Sequence, residues 1–441
     1  EKEGQNDIQR IVPHVLILGA GLGGLSLAQA LRKRGISFEI FERDRHDLER
    51  LQGWTVSVHS MVEDMKESVA DDMPPFKMVD HLDSVDVPCE FAYYNPDSTA
   101  KMGYRDDGSQ TYMWANRSTL RQWLSTHVNI QYDKQAVRIE EGEKTVTVLF
   151  KDGSSATGDI LVGAEGVHSM STLSLANPLL SLLQDALTFS LCPRKARKHI
   201  LKGNDPVQAE KMYLVSGDVH LDKGEMEEQM MLSHSSYLVD FTGAEDGKTY
   251  HLFVGLDKLA PGGARAGADY YFHLTGQDDG ADRDDFWTYA ATREQLLAFA
   301  LRQARDLPPR FRCVIGKATA GRMKCPPVRL NTLIMDSLPV GRCTLLGDAA
   351  HVMTPFRGEG GCHAMKDGLN LARTIAKIDK GDEQSLRTAL GEYQEEMIKR
   401  GCGAAAASSK EYTTAIDHEK PDSRAVRGVA MVALPQERVV L

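Results

Sequence analysis

The sequence has no long apolar run. Across its 441 residues, no stretch reaches the roughly 20 apolar residues that a membrane-spanning helix needs. Residues 1–7 are polar and acidic, unlike the apolar segment of a secretory signal peptide. We therefore expect no stable membrane insertion.

Basic charge is also scarce. The chain has 52 Lys and Arg against 62 Asp and Glu, which gives a net charge of −10. Its densest basic segment, residues 194–198, is short, whereas proteins that bind nucleic acid usually present a broad basic face. We therefore expect no nucleic-acid partner. The hydrophobic fraction of 42% is typical of a globular protein.

Paired cysteines and metal-ligand spacings are missing as well. The seven cysteines are scattered without a C-x-x-C pair, and no H-E-x-x-H segment occurs. An odd and dispersed set of cysteines indicates free thiols in a reducing compartment, so we expect a cytoplasmic protein. The same lack of ligand spacing predicts no metal site.

A strand, a glycine-rich turn, a helix and a second strand open the chain. Val15–Leu18 is a short apolar run, and a G-x-G-x-x-G motif follows with Gly19, Gly21 and Gly24. The glycines permit a tight turn, and the helix that starts there offers unpaired N–H groups to a pyrophosphate. Glu42 ends the second strand, where a carboxylate can accept hydrogen bonds from ribose hydroxyls. This arrangement predicts a dinucleotide site; the alternative is a βαβ unit whose glycines only permit close packing.

A second glycine-rich segment lies far along the chain. An apolar strand, residues 344–346, leads into Gly347 and Asp348, and residues 354–361 form a glycine-rich loop before an amphipathic helix. A loop that leads into a helix N-terminus again suits an anion or a carbonyl group. Two such sites can hold two ends of one long ligand, and FAD is a ligand of that kind. The sequence therefore predicts FAD rather than a transient nicotinamide cofactor at this pair of sites.

Together the two segments resemble the class A, single-component flavin-dependent monooxygenases. That family includes the para-hydroxybenzoate hydroxylase fold, the tetracycline-inactivating enzymes and many fungal natural-product enzymes. The resemblance covers residues 1–170 and 310–400. It implies an α/β fold with a Rossmann-like FAD-binding domain, an inserted β-rich substrate domain and C-terminal helices.

The predicted domain boundaries follow from this resemblance and from the β-rich texture of the middle of the chain. The FAD-binding domain is predicted in three parts, residues 10–90, 111–175 and 311–385. The substrate domain is predicted in two parts, residues 91–110 and 176–310, and the C-terminal helical region at residues 386–441.

The resemblance also assigns roles to individual residues. Glu42 resembles the ribose-binding acid, Arg117 an arginine that touches the cofactor, and Asp348 the acid that binds the ribityl chain. The positions implied for FAD are, in chain order, Gly19, Gly21, Leu22, Gly24, Glu42, Arg43, Arg117, Asp348, Pro355, Gly358, Gly360 and Gly361. Arg50 resembles an arginine that meets the nicotinamide cofactor in the tetracycline-inactivating enzymes, so NAD(P)H is implied as a co-substrate.

Three positions depart from the family's pattern. The A-D-G-x-x-S-x-x-R motif has Glu165 in place of Asp and Thr172 in place of the final Arg. Cys362 stands where the family often has Asn. In the family, the A-D-G-x-x-S-x-x-R motif is linked to both FAD and NAD(P)H. The loop that corresponds to the one before Cys362 faces the flavin with backbone N–H groups.

The family's chemistry is implied for this chain. A flavin reduced by NAD(P)H forms a C4a-hydroperoxide with O2, which hydroxylates or epoxidises a hydrophobic, ring-containing small molecule of aromatic, indole or polyketide type. The protein then positions substrate and excludes water, so no catalytic triad is expected. Pro355 and Arg357 are the candidate catalytic residues, although Arg357 either reaches substrate or faces solvent. We interpret His351 as packed within its turn and Cys362 as a small residue near the flavin, not as a base and a nucleophile.

Two other functions stay open at the level of sequence. One is another flavoenzyme of the same fold, an oxidase or a reductase, which the fate of oxygen would distinguish; the W-x-W-x-I-P segment of halogenases is absent. The other is a non-catalytic FAD-binding protein, whose flavin no nicotinamide would bleach. The expected partners are a small-molecule substrate and O2, and the oligomeric state is not predicted.

Aromatic and imidazole side chains are frequent on the predicted strands of the middle block. On such strands they more often pack within a sheet than contact a ligand. We expect about two of six to line a substrate pocket, without predicting which: Tyr213, His234, Tyr237, Tyr250, His251 and Phe253.

Overall fold

The computed structural model describes most of the chain. The described residues are 12–47, 49, 54–59, 61–82, 87–95, 102–109, 112–166, 195–261, 263–413, 425–426, 429–430 and 432–434. Their strands, in chain order, are β1 (Val15–Leu18), β2 (Phe38–Phe41), β3 (Thr55–His59), β4 (Glu90–Tyr94), β5 (Met102–Arg105), β6 (Tyr112–Asn116), β7 (Ile130–Gln131), β8 (Ala136–Glu141), β9 (Val146–Phe150), β10 (Ser155–Gly158), β11 (Ile160–Gly163), β12 (Gln208–Leu221), β13 (Ser236–Thr242), β14 (Thr249–Leu259), β15 (Ala268–Gln277), β16 (Arg329–Thr332), β17 (Cys343–Leu345), β18 (Ala425–Val426), β19 (Val429–Ala430) and β20 (Val432–Ala433).

The helices alternate with these strands mainly in the first and last thirds of the chain. The α-helices are α1 (Leu22–Lys33), α2 (Val62–Ser68), α3 (Arg117–Leu124), α4 (Lys195–Ile200), α5 (Lys223–Leu232), α6 (Trp287–Ala290), α7 (Arg293–Gln303), α8 (Pro309–Lys317), α9 (Asp348–His351), α10 (Gly360–Ile375) and α11 (Glu383–Thr413). Single turns of 3-10 helix lie at Phe76–Val79, Gly263–Ala266, Ala320–Arg322 and Pro355–Arg357.

A parallel sheet forms the centre of the first layer, and we call it the parallel sheet. Its order is β17-β11-β1-β2-β7, and β1 pairs in parallel with both β2 and β11. Every residue of β1 is buried, and a separate three-stranded sheet, in the order β10-β9-β8, packs against the parallel sheet through the rings of Phe41 and Phe150, 4.7 Å apart. The predicted βαβ unit, with its apolar run at residues 15–18, is therefore confirmed.

Helices α1 and α10 cross this sheet in direct backbone contact. A Cβ atom added at Gly23 would lie 2.8 Å from the carbonyl oxygen of Ala364, and one added at Gly368 would lie 2.7 Å from that of Gly23. A side chain at either position would force the helices apart. These glycines therefore form a seam that joins the N-terminal motif to the helix that follows the second glycine-rich loop.

A mostly antiparallel sheet forms the second layer, and we call it the large sheet. Its described strands run in the order β16-β12-β15-β14-β13-β4-β5-β20, and β13 pairs in parallel with β4. A separate hairpin-like ladder of β3 and β6 lies between the two layers. The α/β class with an added β-rich unit is confirmed.

The two faces of the large sheet differ in what covers them. On β14, Tyr250, Leu252 and Val254 are buried in the same apolar core as α8, while His251 and Phe253 point to the opposite face because side chains alternate along a strand. The opposite face is turned toward the parallel sheet. It therefore forms one wall of the space between the parallel sheet and the large sheet.

The domain boundaries stay a prediction. The predicted boundary at residues 310–311 falls inside α8, and β16, from the third predicted part of the FAD-binding domain, pairs with β12 of the large sheet. Among the residues that the structure describes, no helix is both long and apolar enough to cross a membrane.

Candidate active site

The glycine-rich turn at residues 19–24, here called the dinucleotide loop, is shaped by backbone contacts. Gly19 has a φ of +108°, which L side chains rarely adopt. A Cβ atom at Gly24 would lie 2.1 Å from the carbonyl oxygen of Gly19. A Cβ atom added at Gly21 would have no protein atom within 4 Å. Two of the three motif glycines are thus required by the fold itself, whereas Gly21 borders space that is open in the protein.

Glu42 closes the dinucleotide loop from the second strand. Its buried carboxylate accepts hydrogen bonds from the backbone N–H groups of Ala20 (2.9 Å) and Asp44 (3.1 Å). Glu42, Arg43 and Gly19 line a pocket at the carboxyl ends of β1 and β2, here called the first pocket, of about 620 Å³ including its open mouth. Glu42 thus brings a carboxylate, a group that accepts hydrogen bonds, to the edge of this pocket.

Arg121 braces the same loop, a role that sequence reasoning did not find. Its Nε donates to the carbonyl oxygen of Ala20 (2.8 Å) and its Nη1 to that of Asp47 (2.9 Å). It lies one helical turn after Arg117 on α3, and Asn116 caps that helix by accepting from the N–H of Ser118. The helix therefore presents Arg117 to the pocket and Arg121 to the loop. The contact between Arg121 and Ala20 distinguishes these two roles, which the sequence alone does not.

The second glycine-rich segment is anchored from behind by an acid. Gly347 has a φ of +61°, and its N–H donates to the Asp367 carboxylate at 2.7 Å. Asp348 follows as the first residue of α9 and lines a large central cleft, whereas Asp367 is completely buried within α10. The left-handed turn and its buried anchor together fix the direction in which Asp348 points.

The loop at residues 353–361, here called the ring-end loop, borders the same cleft. Pro355, Gly358, Gly360 and Gly361 all line it. The hydroxyl of Ser57 on β3 donates to the carbonyl oxygen of Gly358 at 3.1 Å, which ties the loop to that strand. The loop thus brings three glycines to the cleft, and Met353 and Phe356 line the cleft beside them.

Arg357 is held inside the ring-end loop. Its guanidinium pairs with Glu359 through two contacts, Nε to Oε2 at 2.9 Å and Nη2 to Oε1 at 3.0 Å. It is not among the residues that line the central cleft. Of its two predicted roles, the structure favours the one away from substrate.

His351 belongs to a buried ionic cluster. Its Nε2 lies 2.7 Å from Asp367, and Arg400 donates to the other oxygen of that carboxylate at 2.6 Å. Burial alone would lower the pKa of His351, but the neighbouring Asp367 more than offsets this and the pKa is raised. His351 is fully buried and does not line the cleft. The arrangement agrees with a structural residue within its turn.

Cys362 is a buried neutral thiol. Its Sγ lies 3.2 Å from the carbonyl oxygen of Ser57. Burial raises its pKa to about 12, although it sits near the N-terminus of α10, where a thiolate would otherwise be favoured. The side chain therefore acts as a weak donor to β3.

We expect Cys362 to resist alkylation in the folded protein. With a pKa of about 12, roughly one thiol in ten thousand is ionised at pH 8, and only the thiolate reacts with iodoacetamide. Peptide mass mapping after brief treatment should find Cys362 unmodified in native protein and modified after unfolding in urea. Stoichiometric modification of the native protein at this residue would contradict the assignment.

The first pocket and the central cleft adjoin each other and share four lining residues. Gly21, Arg117, Ala164 and Gly166 line both. The cleft encloses about 1940 Å³, including its open mouth, and extends from the dinucleotide loop to the ring-end loop. We call the combined space the trench. An extended ligand can therefore contact Glu42 at one end and the ring-end loop at the other.

An aromatic wall faces the ring-end loop across the cleft. Alternate residues of β14 and β15 supply Phe253, Tyr271 and His273, and Trp54 packs its ring 4.1 Å from that of His273. The Tyr271 hydroxyl lies 2.6 Å from Thr55 Oγ1. A wall of this composition suits a flat apolar ring.

Two imidazoles in this wall have different surroundings. His273 is buried, its Nδ1 lies 2.8 Å from the hydroxyl of Ser216, and burial lowers its pKa to about 3, so it is neutral. His251 instead pairs through Nδ1 with Asp240, which also accepts a hydrogen bond from the Tyr93 hydroxyl at 2.8 Å. The cleft thus contains one neutral imidazole and one that is paired with a carboxylate.

The strand register settles which middle-block side chains reach the cleft. His251 and Phe253 line it. The hydroxyls of the buried residues Tyr213 and Tyr250 lie 3.1 Å apart in the core behind the sheet. Tyr237 donates to Gln229 behind the sheet, and His234 contacts the carbonyl oxygen of Pro88.

Of the remaining residues that the sequence analysis singled out, some lie within the described part of the chain and others do not. Leu22 lines the cleft, whereas Gly24 supports the loop from within. Glu165 lines the first pocket and accepts a hydrogen bond from the N–H of Ala196 in α4 at 3.0 Å. Arg50 and Thr172 lie outside the described residues.

Comparison with known proteins agrees with this geometry. The sequence profile of the family described as "FAD binding domain" matches residues 13–180 and 312–406. The FAD-dependent monooxygenase thnD of Trichoderma harzianum is 35% identical over 434 residues, 97% of this chain and 99% of that protein.

Solved structures resemble the chain over most of its length. Klebsiella pneumoniae HpxO complexed with FAD and uric acid superposes with a TM-score of 0.65 at 20% identity, covering 92% of this chain and 90% of that one. Tetracycline destructase Tet(51) superposes with a TM-score of 0.56 at 15% identity, covering 93% of each chain. At these identities the likeness concerns the fold.

Proposed function

This chain belongs to the FAD-dependent monooxygenases that carry the FAD binding domain, and from that membership we propose that it hydroxylates or epoxidises a hydrophobic, ring-containing small molecule with NAD(P)H and O2. Relatives that it matches include the fungal FAD-dependent monooxygenases thnD of Trichoderma harzianum, cctM of Talaromyces islandicus and nscC of Aspergillus fumigatus. We accordingly propose a place in natural-product biosynthesis, with an aromatic, indole-type or polyketide substrate. A cytoplasmic location is proposed as well, as the scattered cysteines indicate.

The trench is the observation that carries the proposal. It joins a glycine-rich helix start and a buried acid at one end to a glycine-rich loop at the other. FAD requires an elongated site with an anion-binding helix N-terminus in its first half. Bound FAD supplies electron transfer and oxygen activation, and the protein contributes binding and orientation.

The dinucleotide loop fits the pyrophosphate of FAD. Gly21 is the first residue before α1, has an ordinary extended backbone, and borders space that a Cβ atom would fill. We propose that the pyrophosphate occupies this space and accepts hydrogen bonds from the first N–H groups of α1. Glu42 would bind the adenosine ribose, with Arg43 and Arg117 beside the trench.

The ring-end loop fits the flavin. Asp348 is proposed to bind the ribityl chain, and Pro355 to border the ring system. The backbone N–H groups of Gly360 and Gly361 start α10, so they suit the carbonyl-bearing edge of the ring. Because the loop is tied to β3 through Ser57, the ring would be held at a fixed distance from the aromatic wall.

The aromatic wall supports the substrate class. Trp54, Phe253 and Tyr271 are apolar or weakly polar surfaces that can stack on a ring. The binding place of NAD(P)H is not assigned to any described residue, and Arg50 stays the candidate that the resemblance implies.

The direct test is anaerobic reduction of the purified, FAD-bound protein by NADPH and by NADH, with and without a panel of phenols, indoles and polyketide aromatics. We expect bleaching of the flavin absorbance, faster with a bound substrate, and incorporation of one atom of labelled O2 into product when air is restored. Release of all the oxygen as peroxide with every aromatic would instead identify an oxidase. Failure of both nicotinamides to bleach the flavin would contradict the proposed reaction.

A further inference from the structure

Three side chains that can bind a metal ion meet at the amino end of β17. Glu141 is the last residue of β8, His199 lies in α4 and Cys343 is the first residue of β17. A carboxylate oxygen, an imidazole nitrogen and the thiol sulfur all lie within 4.8 Å of one another. The described residues that line the trench include none of the three. The group is therefore separate from the proposed FAD site.

The separations are close to those of a tetrahedral zinc site. His199 Nε2 lies 3.5 Å from Glu141 Oε2, and two ligand atoms that are each about 2.1 Å from a tetrahedral Zn²⁺ lie about 3.4 Å apart. Cys343 is buried, whereas the side chains of His199 and Glu141 are 28% and 31% exposed. The two partly exposed side chains can thus rotate toward the buried sulfur, and an ion can reach them from solvent.

The carboxylate of Glu141 is oriented by the backbone. The N–H of Arg342 donates to Glu141 Oε1, while Oε2 is on the side of His199. The contact with His199 and the Arg342 N–H lower the pKa of Glu141 despite its partial burial, so the carboxylate is ionised at neutral pH. The guanidinium of Arg342 is directed to Glu383 and to the carbonyl oxygen of Glu143. A cation beside Oε2 would therefore meet a negative charge.

The thiol of Cys343 is the ligand that selects the kind of metal. It is protonated and hydrogen-bonds to the Glu141 carboxylate, because burial and that carboxylate raise its pKa. Zn²⁺ accepts thiolate, imidazole and carboxylate ligands together, whereas Mg²⁺ and Ca²⁺ prefer oxygen ligands alone. Three protein ligands leave the fourth tetrahedral position to a water molecule.

We propose that Glu141, His199 and Cys343 form a zinc site that joins three elements of the fold. On binding, the S–H bond of Cys343 breaks, its electron pair forms the bond to zinc and the proton goes to solvent. In the described order of strands, β17 is an edge of the parallel sheet and β8 an edge of the three-stranded sheet, and α4 packs against both strands. The ion would therefore stabilise β17, the strand that leads to the turn at Gly347.

The zinc site goes beyond the proposed function and does not depend on it. It also departs from the prediction of no metal site, which considered ligands at short spacings in the sequence. Here the three ligands come from elements that are far apart in the chain, so no short spacing could indicate them.

The first test is titration of FAD-bound protein, freed of metal by dialysis against a chelator, with Zn²⁺ alone. We expect one ion to bind per chain and about one proton to be released at neutral pH, because the thiol is protonated beforehand. The thermal midpoint should rise with Zn²⁺ but not with Mg²⁺. Co²⁺ in place of Zn²⁺ should give the absorbance bands of a tetrahedral cobalt ion at wavelengths longer than those that oxidised flavin absorbs. Absence of saturable Zn²⁺ binding would overturn the proposal.

Single substitutions with a matched control locate the ion. His199→Gln and Cys343→Ser should each lower the Zn²⁺ affinity at least about tenfold, since even groups that only orient metal ligands have effects of that size. Because a serine at the buried position of Cys343 can itself lower stability, the partly exposed His199→Gln decides the question. His220→Gln, which removes an imidazole from an exposed pair with Asp269, should bind Zn²⁺ as the wild type does. Wild-type Zn²⁺ affinity in His199→Gln would place the ion elsewhere and overturn the assignment.

Discussion

Replacing Gly21 by alanine is expected to abolish tight FAD binding while leaving the FAD-free protein folded. A Cβ atom there meets no protein atom within 4 Å, and the backbone at Gly21 has a φ of −80° that alanine adopts freely. The added methyl group would occupy the space proposed for the pyrophosphate. We expect FAD affinity to fall at least about hundredfold, roughly 2.7 kcal/mol, as measured by titration of the FAD-free protein with FAD.

Gly24→Ala provides the contrast. Its Cβ atom would lie 2.1 Å from the carbonyl oxygen of Gly19, so the loop must distort before any ligand binds. This variant should lose both FAD affinity and thermal stability, whereas Gly21→Ala should lose affinity alone. If Gly21→Ala binds FAD as tightly as the wild type, the pyrophosphate does not lie against Gly21 and the placement of the cofactor is wrong.

Replacing Asp367 by alanine should produce the largest loss of stability. The carboxylate is fully buried and accepts hydrogen bonds from Gly347, His351 and Arg400. Removing it takes the buried carboxylate away from His351 and from the Gly347 N–H, whereas Arg400 keeps Glu396; the loss of one partner of a buried ion pair typically costs about 3–5 kcal/mol of unfolding free energy. Chemical denaturation of the two proteins in the same buffer measures the difference, and Asp285→Asn, in an exposed ion pair, should not change it measurably.

The same substitution should remove a pH dependence of stability. Asp367 raises the pKa of His351 in the folded protein. The stabilisation that His351 provides is therefore complete below pH 6.5, its ordinary pKa, and is lost as the pH rises through the higher pKa of the folded state. Burial alone would raise the pKa of Asp367, but His351 and Arg400 lower it. The stabilisation that Asp367 provides is therefore complete above pH 3.8, its ordinary pKa, and is lost as the pH falls through the lower pKa of the folded state. The cluster therefore contributes fully between about pH 4 and 6.5. A stability difference from Asp367→Ala that stays constant across and beyond this window would contradict the ionic description.

Asp367 also connects stability with the cofactor site. Its bond to the Gly347 N–H supports the turn that directs Asp348 into the trench. FAD affinity should consequently fall in Asp367→Ala even at temperatures where the protein is folded. That effect separates this acid from an ordinary buried ion pair.

Local patterns in the sequence were sufficient for the cofactor end of the fold. The apolar run at residues 15–18 and the motif glycines each have a short-range physical cause, and both lie where they were predicted. Helix α3 likewise begins at Arg117 because the neighbouring Asn116 caps it. Such features depend on residues within a few positions of one another, so a single sequence contains them.

Long-range pairing was beyond the reach of the same reasoning. Asp367 occupies an unremarkable position in an amphipathic helix, and its role depends on partners 16 to 33 residues away in the chain. His251 and Tyr250 are neighbours of similar character, yet the register of β14 sends one to the cleft and the other to the core. A shift of one residue in that register would exchange them, and no local signal fixes it.

The seam of glycines between α1 and α10 limits how the site can open. Since the two helices meet through main-chain atoms at Gly23 and Gly368, the loops at both ends of the trench move as parts of one stiff body. The two loops therefore keep a fixed spacing while a ligand enters through the open mouth of the cleft. Larger residues at the seam would force the helices apart and change that spacing.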